Sequence, residues 1–271
     1  MPAPGLSTVE GPALSHVEGP ADVEERYADL LELAERAHAD HFWYHGFRSF
    51  VGPVLADVAD RRTNLRIIDC GCGTGHNLEL LAPLGRVVGF DLTPGGLARA
   101  RARGEPVARA DITRAPFRSE SFDLATSFDV MQCLEDDREA VREIGRLLKP
   151  GGAAVITMAA LEALRGDHSD WWREFRRYTP SMARTLAEQA GLRVERVQFL
   201  FASLVPPMLA VRTVQRIVRP LRRPRLDADI AVPSPPINTL LTWAVRAEAA
   251  IARRVSMPFG SSLLLVARKA K

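Results

Sequence analysis

The sequence predicts an α/β fold: a doubly wound, mainly parallel sheet of seven strands, with helices ahead of it and a cap insertion near its C-terminal end. Three observations carry this. The apolar run Leu65-Arg66-Ile67-Ile68 ends in Asp69 and then in glycine at every second position, Gly71, Gly73 and Gly75. Strand-like apolar runs then alternate with helical patterns, as expected for a parallel sheet covered on both faces. Finally, Lys149-Pro150-Gly151-Gly152 stops a helix and turns into the next strand, because proline cannot continue the helix and glycine tolerates a left-handed cap.

Residues 1–20 are rich in Pro, Gly, Ser and Glu, with neither a basic start nor an apolar run. They read as a disordered tail and not as a signal peptide. Residues 21–60 read as a helical lid, with helical patterns over Val23–His38 and Ser49–Val58 and the aromatic cluster His41-Phe42-Trp43-Tyr44-His45 between them. Residues 61–201 read as the core. Its strands are expected at Leu65–Asp69, Arg86–Asp91, Val107–Asp111, Phe122–Phe128, Ala153–Met158 and Arg193–Phe199, and its helices at Asn77–Ala82, Gly95–Arg103, Arg138–Leu148 and Ser181–Ala190. Residues 202–259, rich in proline and arginine with a helical run at Asn238–Arg254, read as a cap insertion over the ligand edge. Residues 260–271 supply the last core strand, expected at Ser262–Ala267.

The net charge of +3, from 36 basic and 33 acidic residues, is too small to imply a nucleic-acid partner. Cys70, Cys72 and Cys133 lack disulfide, zinc or redox spacing and read as small apolar fillers in a reducing compartment. The longest apolar stretch, Phe199–Val211, is too short to span a bilayer. A cytoplasmic protein is expected, with no metal.

Strand, glycine turn and helix form a nucleotide-binding entrance. A dinucleotide fold wants Gly-x-Gly-x-x-Gly, but here the third place falls on His76. Asp91 ends the second strand, where a carboxylate can accept from a ribose diol. Both NAD and S-adenosylmethionine (SAM) carry that diol, so Asp91 alone does not choose.

The spacing Asp69-x-Gly71-x-Gly73-x-Gly75 resembles motif I of class I SAM-dependent methyltransferases, which have a Rossmann-like fold. Four more segments resemble that family in order. They are Gly89-Phe90-Asp91-Leu92-Thr93, the stretch from Ala110-Asp111-Ile112 to Ser121-Phe122-Asp123, Ser127-Phe128-Asp129-Val130, and Leu147-Leu148-Lys149-Pro150-Gly151-Gly152. The resemblance covers roughly residues 60–200. A segment around Arg176-Arg177-Tyr178-Thr179 and the stretch His41-Phe42-Trp43 resemble bacterial members of the broad type-11 group.

The resemblance implies that Gly71, Gly73 and Gly75 pass under the amino acid portion of SAM. It also implies that Asp91 holds the ribose, that Asp111 accepts from the adenine amino group beside Ile112, and that Leu92 and Phe128 line the adenine and sulfonium. Structural alternatives stand beside these roles. Asp69 orders the turn or serves the cofactor, Asp111 ends a strand, Phe128 fills the core, and Asp129 caps the following helix. The implied reaction is methyl transfer by in-line displacement to a small-molecule or lipid-like acceptor, giving S-adenosylhomocysteine. The lack of an Asn-Pro-Pro-Tyr-like tetrapeptide at Phe128–Met131 disfavours a planar nitrogen acceptor and favours oxygen or carbon. Rival readings are a NAD-dependent oxidoreductase and a non-catalytic SAM-binding protein.

His168 is the general-base candidate, since histidine titrates near neutral pH and follows the fifth strand on the ligand side. Arg177 and Tyr178 are candidates for an anionic or aromatic acceptor, and His41, Trp43 and Tyr44 for a lid or acceptor contact. Around 208–225, Arg212, Arg216 and Arg219 fall on one helical stripe and Val211, Val214 and Val218 on the other, followed by Arg222, Arg223 and Arg225. A basic amphipathic helix of this kind either lies on an anionic membrane, here the inner face, or covers a core and exposes its arginines.

Overall fold

The computed structural model describes residues 31–218 and 230–271. The tail at 1–20, the start of the first expected helix, and Arg219, Arg222, Arg223 and Arg225 lie outside the described residues.

One seven-stranded sheet organises the chain: β1 (Leu65–Cys70), β2 (Gly85–Asp91), β3 (Val107–Arg109), β4 (Phe122–Phe128), β5 (Leu148–Ala159), β6 (Leu192–Leu200) and β7 (Ser262–Lys269), in the order β3-β2-β1-β4-β5-β7-β6. The pairs among β1 to β5 are parallel, while β7 runs antiparallel between β5 and β6. The strand order reverses between β1 and β4, the switch point where open α/β sheets bind ligands outside the carboxyl ends.

Successive strand residues point to opposite faces, so burial on both faces requires continuous apolar runs. Ile67, Leu124, Val155 and Leu264 pack on one side with α2 (Phe42–Ala59), α3 (His76–Leu81), α4 (Pro94–Ala102) and α9 (Pro235–Ala252). Ile68, Ala125, Ile156 and Leu265 pack on the other with α5 (Asp137–Leu147) and α7 (Pro180–Gln189). The remaining helices are α1 (31–38), α6 (Asp167–Trp171) and α8 (Val205–Val218).

Several boundaries differ from expectation. The helix expected at Ser49–Val58 starts at Phe42, because the Nδ1 of His41 accepts the Trp43 N–H and caps it. Lys149–Gly152 lies inside β5, where the register shifts opposite Phe122 and Leu124, and Gly151 takes the positive φ of 77°. The stretch expected as a single cap is divided. On α9, Val245 and Ala249 are buried in the sheet-covering layer, and the Glu248 carboxylate accepts from the N–H groups of Ala202 and Ser203 at 2.6 and 2.8 Å. α8 instead lies against the loop after β5.

α8 departs from the expected orientation at Arg212 and at the valines, while Arg216 stays exposed. Arg212 is 4% exposed, and its Nε donates to the Leu164 carbonyl at 3.1 Å. Arg216 donates to the Ala163 carbonyl at 2.7 Å. The valines face outward, with Val211 and Val214 exposed. The carbonyls at the turn Glu162–Leu164 need donors, and the arginine stripe supplies them.

Candidate active site

The glycine turn is stitched to the end of β2. The N–H groups of Gly71 and Cys72 both donate to the Phe90 carbonyl, at 2.8 and 2.9 Å. The Gly73 N–H donates to Asp91 Oδ2 at 2.8 Å. Asp91 Oδ1 accepts from the Thr93 N–H and hydroxyl at 2.8 and 2.6 Å. Three of the roughly four acceptor places of this carboxylate are thus filled by protein. Asp91 therefore orders the turn and the start of α4 and keeps about one place for a ligand hydroxyl.

Two of the glycines are needed for different reasons. At Gly71 (φ 83°) a Cβ would lie 2.5 Å from Val130 Cγ2, so the turn is packed from below. At Gly73 (φ 53°) a Cβ would meet nothing within 4 Å, so the backbone there borders open space. That is the cradle a bound group would need.

Asp69 is 1% exposed. Its Oδ1 accepts from the Thr126 hydroxyl at 2.6 Å, while its buried Oδ2 has no hydrogen-bond partner. Burial, with a lesser push from Asp91, raises its pKa to about 7 against the pull of Thr126. A ligand ammonium fits this orphaned oxygen, because it would supply the missing donors and restore the charged form.

The other expected cofactor residues are spread along the same edge. Leu92 is 57% exposed beside Asp91. Asp111 is exposed, and its Oδ1 accepts from the N–H and hydroxyl of Thr113, both at 2.8 Å. Ile112 is buried against the first core cluster. Phe128 packs edge-on to Phe47 at 5.2 Å and belongs to the core that α2 covers.

Asp129 does not cap a helix. Asp136 holds that place for α5, accepting the Glu139 N–H. Asp129 instead closes β4 in the left-handed region at φ 57°, its N–H donating to the Thr157 carbonyl at 3.0 Å. Burial pushes its carboxyl up to about 6; Thr157 lowers it, Glu174 raises it and Arg177 lowers it. A non-glycine residue in this region at a strand end is the strained geometry that collects at working sites. Its signal in the sequence was only an acid after a strand, which a helix cap explains equally well.

The N-terminal elements fold onto the turn. Glu35 Oε1 accepts from Arg103 at 2.7 Å, Glu35 Oε2 lies 3.1 Å from His76 Nε2, and the His38 and His76 rings stack at 3.7 Å. Burial lowers His38 to about 3, helped by His76, Arg48, Arg103 and His45. Burial also lowers His41 to about 4, against its bond to Ala231. Both are therefore neutral at pH 7. Burial raises the Tyr44 hydroxyl to about 12, with the charges of Asp129 and Glu35 adding to it. Trp43 stacks on Phe47 and Phe201 at 5.3 and 5.6 Å, which gives it a packing role.

Arg177 and Tyr178 are spent on the protein itself, which corrects their expected contact with an acceptor. Arg177 is ion-paired to Glu174 at 2.9 Å with both side chains buried, and it also donates to the Ala160 carbonyl and the Ser169 hydroxyl. Tyr178 is 2% exposed, and its hydroxyl bonds Asp137 Oδ2 at 2.7 Å. His168 sits on α6 with its ring 6.0 Å from that of Trp172.

Residues 68–156 match the family model described as a methyltransferase domain. The chain is 32% identical over 154 residues to a malonyl-acyl-carrier-protein O-methyltransferase of Hahella chejuensis, covering 53% of this chain and 55% of that protein. It is 36% identical over 132 residues to a demethylmenaquinone methyltransferase of Roseiflexus sp., covering 45% of this chain and 54% of that one. The match thus spans about half the length of these relatives. Among solved structures, a (4+2)-cyclase shares the fold with a TM-score of 0.61 at 19% identity, over 92% of this chain and 95% of its own. With the sheet order and the five motifs, these matches make the chain similar to class I SAM-dependent methyltransferases, with a methyltransferase domain matched over residues 68–156.

Proposed function

We propose that the protein binds SAM at the carboxyl ends of β1, β2 and β4 and transfers its methyl group to a small or lipid-like acceptor, on oxygen or carbon. The observation that carries this reading is the orphaned, buried Oδ2 of Asp69 at the end of β1, followed four residues on by the open cradle at Gly73. Asp69 would hold the ammonium, and Asp91 one ribose hydroxyl. Asp111 and Ile112 would flank the adenine, with Leu92 on its face and Phe128 near the sulfonium. SAM supplies an activated methyl group, so the chain's own work is positioning, exclusion of water and, for an acceptor that carries a proton, its removal.

For that proton Asp129 is the favoured group. It precedes Val130, which packs under Gly71, and its raised pKa suits a base. His168 is the alternative. Residues 31–60 act as a lid, supported by the Glu35, His38 and His76 contacts to the glycine turn. The names of the two relatives, one acting on an acyl-carrier protein and one on a quinone precursor, support an acceptor with an apolar part by analogy only. The apolar cluster of Leu33, Tyr44, Trp171, Trp172 and Ile230 at the same edge agrees with it. Work in the cytoplasm fits these acceptors.

A second reading, SAM binding without methyl transfer, is favoured by the cyclase likeness, since one fold hosts several chemistries. A product scan with methyl-labelled SAM over quinone-type, acyl-thioester and small phenolic acceptors separates the two. Label in a product supports transfer, whereas SAM binding with no labelled product supports the second reading.

A further inference from the structure

Helices α8 and α9 each carry several large apolar residues on an outer face as well as on the packed one. On α8, Val211, Val214 and Ile217 are 49%, 59% and 71% exposed. They share one face, while Arg212 is buried against the Leu164 carbonyl and the exposed Arg216 donates to the Ala163 carbonyl. On α9, Leu240, Trp243 and Ile251 are 69%, 74% and 53% exposed and lie opposite the buried Val245, Glu248 and Ala249. Two helices, consecutive among the described residues, thus each bury a packed face and present an apolar one to water. A soluble monomer rarely leaves such faces bare, and exposed Trp with Leu and Ile suits the boundary between headgroup and acyl chain.

Charge selects the occupant. Residues 205–255 hold nine arginines and three acids, a net +6, in a chain whose total is +3, so the rest of the chain carries −3. Arg219, Arg222, Arg223 and Arg225 lie in the sequence that links the two helices, and Arg253 and Arg254 follow α9 directly. Among the described residues, Arg246, Arg253 and Arg254 are exposed on α9 and at its end, and an anionic lipid surface gains from both this charge and the apolar side chains.

We propose that α8 and α9 dock their outer apolar faces on an anionic membrane, with the apolar side chains entering the interface and Arg246, Arg253 and Arg254 meeting the headgroups. The docking surface differs from the one expected from sequence, since the α8 arginines point away from it. Both helices also border the ligand edge. Asn238 on α9 accepts the Phe42 N–H at 2.9 Å and donates to the Asp40 carbonyl at 2.8 Å, just before the lid helix α2. α8 is fixed to the loop after β5. A docked protein would therefore hold its candidate active site close to the lipid surface. The docking proposal does not depend on the methyl donor.

The test is flotation of the full chain with vesicles of phosphatidylcholine and phosphatidylglycerol, and with phosphatidylcholine alone. The expected result is binding to the anionic vesicles that weakens with salt. It should fall at least about tenfold in Leu240→Glu/Trp243→Glu and in Val214→Asp/Ile217→Asp, since each places charge in the apolar boundary. Calorimetry with SAM on the same variants reads the donor site separately. Three results overturn the proposal: no flotation with anionic vesicles, flotation that neither double substitution weakens, or a wild-type dimer that the substitutions turn into monomer without any vesicle binding.

Discussion

The ends of β1, β2 and β4 and the α8–α9 arm differ in how their residues come by their roles. At the strand ends the partners are close in sequence or in adjacent strands. Asp91 binds Thr93 two residues on and Gly73 across one strand pair, and Asp69 meets Thr126 on the neighbouring β4. On the arm the role of a side chain depends on which face of a helix turns inward, and acceptors some fifty residues away in the chain decide that. Periodicity defines two stripes on α8 without saying which is buried. A strand-end turn can therefore be read as a string, whereas the inward face of a helix needs its tertiary neighbours.

The largest effect should come from Gly71→Val. It forces a Cβ 2.5 Å from Val130 in a left-handed backbone, at a cost of roughly 2–5 kcal/mol in thermal or denaturant unfolding. Gly73→Ala sharpens the contrast within the turn. It should cost only about 1–2 kcal/mol of stability, for the left-handed backbone, yet weaken SAM binding because its methyl enters the cradle. Equal stability losses would mean that the open space at Gly73 is not there.

Next comes Asp91→Ala, which removes charge-assisted bonds worth about 1.5–3 kcal/mol and should weaken SAM roughly tenfold to a hundredfold. Asp69→Asn tests its neighbour through pH. The folded pKa of Asp69, about 7, lies above its ordinary 3.8, so the ligand-free fold holds this proton more tightly than the unfolded chain. Its stabilising contribution is full below about pH 4 and is lost as pH rises towards 7. SAM affinity should rise over the same window as the carboxylate forms. Asn should flatten both trends, and a wild-type slope left in the variant would assign them elsewhere.

The smallest pair tests the arm. Arg212→Leu should destabilise by about 1–3 kcal/mol, because it leaves the Leu164 carbonyl without this donor, while Val214→Ser should stay within about 0.5 kcal/mol. The reverse order, with valine the more sensitive, would show the arginines outside and the valines inside.

Most of the sheet was legible because its strands are buried on both faces and read as apolar runs. Phe122–Phe128 has the bounds expected, five further strands fall within two residues of theirs, and Leu148–Ala159 starts five residues before the expected Ala153. The antiparallel place of β7 was not legible, since nothing local distinguishes the direction of Ser262–Lys269. The glycine turn could be read because its backbone geometry needs glycine itself. Asp129 could not, because an acid after a strand fits a cap as well as a strained site residue. Arg177 and Tyr178 misled for a related reason. An arginine and a tyrosine after the fifth strand look like ligand contacts until Glu174 and Asp137 are seen to hold them.

The central claim is that the strand ends form a SAM site set apart from the arm. Calorimetry with SAM on the wild type, Asp91→Ala and Leu240→Glu/Trp243→Glu tests it most directly. The account predicts one-to-one binding in the wild type, unchanged affinity in the arm variant and at least about a tenfold loss in Asp91→Ala. Equal affinity in Asp91→Ala and wild type, or tighter binding of NAD than of SAM, would contradict it.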